Sequence, residues 1–172
     1  LTEACYNYSN AQLTVSTLAG SAGVAGSSNG TGNAASFNNI ANITVDTNGN
    51  IYVADRSNHL IRKVTPSGVV TTLAGSGISG NADGMGTAAS FNNPLGIAVD
   101  AAGNVYVADA SNHRIRKITP SGVVTTIAGS TNGFANGTGT AAKFNFPQGI
   151  AVDNTGNIFV GDRDNLRIRK ID

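Results

Sequence analysis

"RSNHLIRKVTPSG" at residues 56–68 returns as "ASNHRIRKITPSG" at 110–122 and, in part, as "RDNLRIRKID" at 163–172. In each copy the run after the Asn reads as a strand of its unit. The Thr-Pro-Ser-Gly that follows reads as a turn, with proline restricting φ and glycine free to take a left-handed backbone. Working outward, residues 37–76 align with 91–130 without a gap, identical at 29 of 40 positions, and 144–172 align with 91–119 at 18 of 29. From Phe37 to Phe91 the period is 54 residues, and from Phe91 to Phe144 it is 53. Copies this alike are copies of one structural unit.

The middle copy parses into four short strands. "GIAVD" (96–100) is followed by a Gly-Asn hairpin turn, then "VYVAD" (105–109), a loop "ASNH", "RIRKIT" (114–119), the "TPSG" turn and "VVTTIAG" (123–129). No segment sustains a 3.6-residue period. Four antiparallel strands in a tandem unit of this length predict an all-β propeller of four-stranded blades. The motif residues point the same way. "SNHLIRK", "SNHRIRK" and "DNLRIRK", each after "IYVAD", "VYVAD" or "IFVGD", together with "GIAVDAAGN" and "GIAVDNTGN", resemble NHL repeats over residues 13–172. Leu166 replaces the motif His in the third copy, and "NNIANITVD" replaces "NPLGIAVD" in the first. The resemblance implies a β-propeller, most often of six blades.

Labelling strands A to D from the inside, "LTVSTLAG" (13–20) matches "GVVTTLAG" (68–75), a D strand. The order is then D, A-B-C-D, A-B-C-D, A-B-C: an orphan D strand leads, and the last copy lacks one. The expected organisation is an extension at 1–12 and a propeller domain at 13–172. In that domain strand 13–20 closes the last blade, and the repeats run over about 37–75, 91–129 and 144–172. Three blades leave two apolar faces bare. Two assemblies answer that: a two-fold homodimer making a six-bladed ring, or further blades of a longer chain.

Composition sets bounds on partners. Net charge is +1 and charged residues are 12% of the chain, so no global field attracts nucleic acid or membrane. No apolar run is long enough for a membrane-spanning helix. Abundant Asn, Thr and Gly with few Lys and Glu suggest an extracellular or cell-surface setting. Cys5 is the single cysteine, which excludes an internal disulfide and leaves an interchain one as its candidate role. Sequons at Asn7, Asn29, Asn42 and Asn136 are candidate glycosylation sites, no more numerous than this composition supplies by chance.

Candidate sites follow from the repeat. Ten of the eleven Lys and Arg lie in or beside the third strands, so Arg62, Arg116 and Arg169 would form a circle able to bind a polyanion such as RNA. An Asp precedes each of them (Asp55, Asp109, Asp162), and local pairing is the preferred reading. His59 and His113 occupy equivalent positions on different blades and are expected to make structural hydrogen bonds. Peptidylamidoglycolate lyases resemble this fold and hold a channel metal, but the A strands (43–46, 97–100, 150–153) carry no histidine. Asp46, Asp100 and Asp153 open hairpin turns rather than calcium loops: no acidic residue stands at the twelfth position from Asp46, and the second copy has Ala101 and Ala102 where ligands would be. No cofactor is implied. The long D-to-A connections diverge most and are expected on one face around the channel mouth, which Asn42, Leu95 and Gln148 would line. The function expected is a non-catalytic binding or assembly module for a protein or glycan. A metal-dependent lyase or hydrolase is the alternative.

Overall fold

The computed structural model describes residues 13–172. The N-terminal extension, with Cys5 and Asn7, lies outside the described residues. Thirteen strands and six single-turn 3-10 segments alternate, and no α-helix occurs among the described residues. The first sheet holds β1 (Gly30–Thr31), β2 (Ile40–Val45), β3 (Ile51–Asp55), β4 (Leu60–Val64) and β5 (Val69–Ala74), in the order β1-β5-β4-β3-β2. The second repeats it with β6 (Gly84–Met85), β7 (Pro94–Val99), β8 (Val105–Asp109), β9 (Arg114–Ile118) and β10 (Val123–Gly129). The third has β11 (Pro147–Val152), β12 (Ile158–Asp162) and β13 (Arg167–Ile171) alone. All ladders are antiparallel. β7 lies against β2 on one side and β11 on the other, so the first long strand of each sheet faces a common axis. The fold is a β-propeller with three blades per chain.

Local chemistry explains the turns. Asp46 Oδ1 accepts the N–H groups of Asn48 and Asn50 at 2.9 and 2.8 Å, while Gly49 takes φ 80°, closing β2 onto β3. Between β3 and β4 a single 3-10 turn ends at His59 with φ 55°, and His113 and Leu166 repeat that backbone at 57° and 55°. Thr65 Oγ1 accepts the Val69 N–H across the Pro66 turn at 3.1 Å. Each inner strand begins with a register shift: Ile40/Asn42, Pro94/Ile97 and Pro147/Gly149. Bulges of this kind bend a strand and re-aim its side chains.

The core lies between the sheets. Tyr52, Ala54, Ile61 and Ala74 of the first sheet pack on Phe91, Ile97, Val107 and Ile118 of the second. Tyr106, Ile115 and Ala128 of the second pack on Phe144, Ile158 and Val160 of the third. Each large apolar side chain buried here contributes about 1.5–3 kcal/mol.

Residues 13–18 are exposed and belong to no strand of this chain. One sequence expectation changes. The D-to-A connections do not gather at the channel mouth. Each of the first two lays a two-residue strand, β1 or β6, on the outer strand of the sheet that follows it.

Candidate functional site

The repeated ionisable residues build the blades. Arg62 Nη1 donates to Asp55 Oδ2 at 2.9 Å, and both side chains are fully buried. Asp55 also accepts the Asn38 N–H at 2.8 Å and the Asn58 amide at 2.8 Å. Asn58 in turn donates to Gly26 O, and Arg62 Nη2 donates to Ser28 O and Asn29 Oδ1. The outer connection is thereby tied to the blade. The second sheet repeats this with Arg116, Asp109, Asn112 and Asp83. The third does so with Arg169, Asp162, Asn165 and Asn136. Each guanidinium lies over a phenylalanine ring, 5.3 Å from Phe37, 5.2 Å from Phe91 and 5.0 Å from Phe144. Burial pushes the Asp109 carboxyl above the usual carboxylate range, against the Asn112, Asn92 and Arg116 contacts that favour its charged form. The connecting Asp83 stands the other way. Burial raises it, but hydrogen bonds from Thr126 and Arg116 outweigh that and hold it low.

This corrects the polyanion circle. Arg62 and Arg116 are fully buried and Arg169 nearly so, and their charges are matched within the blade. Local Asp–Arg pairing is what the chain adopts. The sequons Asn29 and Asn136 turn out to accept from Arg62 and Arg169, so their amides help hold the outer connections. The histidines tie blade to blade: His59 Nδ1 accepts the Asn93 N–H at 3.2 Å, and His113 Nδ1 accepts the Phe146 N–H at 3.1 Å. Burial lowers the His113 pKa, which favours the neutral acceptor that this bond requires. Asp46, Asp100 and Asp153 are filled by the donors of their own turns, with Tyr52 and Tyr106 hydroxyls added at 3.1 and 3.0 Å. Burial first, then the neighbouring carboxylate, raises both tyrosines to about 12.

What remains is a cleft of about 530 Å³ where the inner strands of the three sheets begin. Asn42, Leu95 and Gln148 all line it, as their positions at the strand starts imply. The turn between β12 and β13, with Arg163 and Leu166, and the start of β13, with Arg167 and Ile168, complete the wall. Sequence reading missed these four because it placed that turn within its own blade. The equivalent His59 and His113 bonds show that the turn reaches past its blade edge. Arg163 lies 5.2 Å over the Phe146 ring and Arg167 4.1 Å over Phe134, so the cationic rim is held by aromatic faces. Asn42 Oδ1 is held by its neighbour Ile43 N–H at 2.7 Å, leaving the amide nitrogen as the donor to offer. Amide donors, an apolar floor and two cations at the rim can bind a polar or anionic group. Among the described residues no three His, Cys, Asp or Glu converge.

The NHL repeat family matches residues 37–64, 91–118 and 144–171. Human NHL repeat-containing protein 2 is 33% identical over 135 residues, covering 71% of this chain and 19% of that protein. The chloroplastic protein SUPPRESSOR OF QUENCHING 1 of Arabidopsis thaliana is 37% identical over 95 residues, covering 54% of this chain and 9% of that protein. In structure the chain is similar to an auxiliary nutrient binding protein of Bacteroides thetaiotaomicron, with TM-score 0.69 and 31% identity over 76% of this chain and 36% of that one. The chain spans less than half the length of each of these relatives.

Proposed function

This chain belongs to the NHL-repeat β-propeller family, and on that premise we propose that it is a non-catalytic binding module whose ligand site is the cleft at the mouth of the inner strands. One observation carries the reading. The repeated Asp, Asn and Arg side chains hold the blades, whereas the starts of the inner strands line the cleft with residues that differ between the copies: Ala41 and Asn42 in the first, Leu95 in the second, Gln148 in the third. Identity between copies preserves a scaffold, and divergence on a rigid scaffold is where specificity resides. Amide donors beside apolar surface suit the hydroxyl and C–H faces of a saccharide. A binding role, as in the nutrient binding protein named above, is consistent with this reading. A glycan, free or carried on a protein, is the ligand proposed, met outside the cell.

The test is a glycan array probed with the purified chain, followed by titration calorimetry of any hit with the free oligosaccharide. Gln148→Ala and Asn42→Ala are each expected to weaken binding at least ~5-fold, the worth of about one hydrogen bond. Thr71→Ala, exposed on the outer strand β5, should leave it unchanged. Binding that survives both cleft substitutions would move the site elsewhere. Metal-dependent turnover of the bound glycan would replace the reading with the lyase or hydrolase alternative.

A further inference from the structure

The turn after the second long strand reads "DRSNHL" at 55–60, "DASNHR" at 109–114 and "DRDNLR" at 162–167. The first copy has an arginine at the second place only, Arg56, and the second copy at the sixth place only, Arg114. The third copy has both, Arg163 and Arg167, and both line the cleft beside Asn42 and Gln148. Each also meets an aromatic ring peculiar to its copy. Phe146 stands where the other copies have Asn39 and Asn93, and Phe134 where they have Ser27 and Asn81.

Phe146 holds a backbone that its own chemistry disfavours. Its φ is 53° and Pro147 follows it. Asparagine tolerates the left-handed region, whereas a bulky aromatic, above all before proline, does not prefer it. The fold keeps it there, with the Phe146 N–H taken by His113 Nδ1 at 3.1 Å. Backbone strain of this kind persists where the surroundings over-determine it, and it collects at ligand sites. Asn93 spends its amide on Ser111 Oγ at 3.0 Å, while the Phe146 ring supports the Arg163 guanidinium at 5.2 Å. A stacked guanidinium uses its face and keeps its edge donors free.

The two arginines have charge to offer. Arg62, Arg116 and Arg169 are matched by buried carboxylates. Arg163 has only an exposed contact, Nε to Asp164 Oδ1 at 3.4 Å, a kind of pair that holds little. Arg167 donates Nη1 to Asn165 O at 3.0 Å and pairs with no carboxylate among the described residues. Their access to water comes with their place in the repeat. Arg56 and Arg114 hold the same two places in blades that have a neighbour on the following side, and both stay partly exposed, as does Asn93 at the place of Phe146.

We infer, resting on the glycan reading above, that the saccharide is acidic: Arg163 and Arg167 hold its carboxylate or sulfate, and Asn42 and Gln148 meet its hydroxyls. Two or three N–H groups in one plane fit either anion as a fork. The chain's net charge of +1 gives a nucleic acid no wider field to follow, so a single acidic group on a sugar is the fit. Phe146 is the positioning residue for Arg163.

The test is an array of galacto- and gluco-configured oligosaccharides, each present in neutral, uronic-acid and sulfate-ester form, with calorimetry of every hit against its matched forms. An acidic form should bind at least ~10-fold more tightly than its neutral match, the worth of a charged hydrogen bond. Arg163→Gln and Arg167→Gln should each reduce that ratio and together abolish it, with the neutral affinity unchanged. Asn42→Ala and Gln148→Ala should weaken acidic and neutral forms alike. Phe146→Asn, which installs the residue of the other two copies, should lower the ratio about 2–5-fold through the lost ring face. That ratio is decisive, because a loss of packing alone would not move it. Equal affinity for acidic and neutral forms overturns the inference and leaves the glycan reading standing. An acidic preference that survives the double arginine substitution overturns it too. Binding of no saccharide in any form removes the glycan reading and this inference with it, as does binding of single-stranded RNA alone.

Discussion

The second and third blades share nearly all their motif residues and differ in company. Arg116 and Arg169 make the same set of bonds, to an Asp, a connecting carbonyl and a connecting side chain. Arg116 is fully buried and Arg169 is 10% exposed. Ile115 is fully buried and Ile168 is almost free. His113 clasps the next blade, whereas Leu166 holds the same left-handed backbone and is 91% exposed. A motif therefore encodes bonds within its blade, and burial is conferred by the blade beside it. Interactions internal to a repeat form without a neighbouring blade, while those that need one do not.

The largest effect expected is at the buried ion pair. Arg116→Ala leaves Asp109 as an uncompensated buried carboxylate and should cost about 3–5 kcal/mol in urea unfolding. Arg169→Ala, next to solvent, should cost about 1.5–3 kcal/mol. Equal losses would break the argument that company decides the energy.

Close approach between blades gives the next contrast. A Cβ on Gly96 would overlap Gln148 O of the third blade, whereas one on Gly149 meets nothing within 4 Å. Gly96→Ala should lower stability by about 1–3 kcal/mol through overpacking, measured as a fall in thermal midpoint.

The histidine clasp is smaller. His113→Ala removes the acceptor of the Phe146 N–H and should cost about 1 kcal/mol. The reverse change, Leu166→His, should leave the unfolding of an isolated chain unchanged.

The smallest effect is in pH dependence. Asp83 is held below the ordinary aspartate value of 3.8, so its contribution is present above that pH and is lost as pH falls through the folded value. The first and third blades carry Asn29 and Asn136 at the same place. Asp83→Asn should flatten the acid limb of the stability curve below about pH 4 and leave neutral stability nearly unchanged, as read by thermal unfolding across pH. An unaltered acid limb would mean that Asp83 and the two asparagines are equivalent clasps at every pH.

Much of the fold was legible because its causes are local. The strands 105–109 and 123–129 match β8 and β10 residue for residue, since alternation and turn chemistry bound them on both sides. Asp–Arg pairing was legible from a seven-residue offset that recurs three times. Asn42, Leu95 and Gln148 were placed by phase alone, and they meet in one cleft. The short strands β1 and β6 were not legible, because two residues in a glycine-rich run carry no periodicity. Nor were Arg163 and Arg167, which line the cleft from the β12–β13 turn and from the start of β13.

Tandem identity, turn residues and alternation specified a four-stranded blade and its repetition, because each acts over a few bonds along the chain. Which copies of one motif are buried, which histidine finds an N–H, and where the leading segment lies were settled by the stacking of one sheet on another. Burial depends on what stands beside a residue in space, and three near-identical repeats cannot encode different neighbours for themselves.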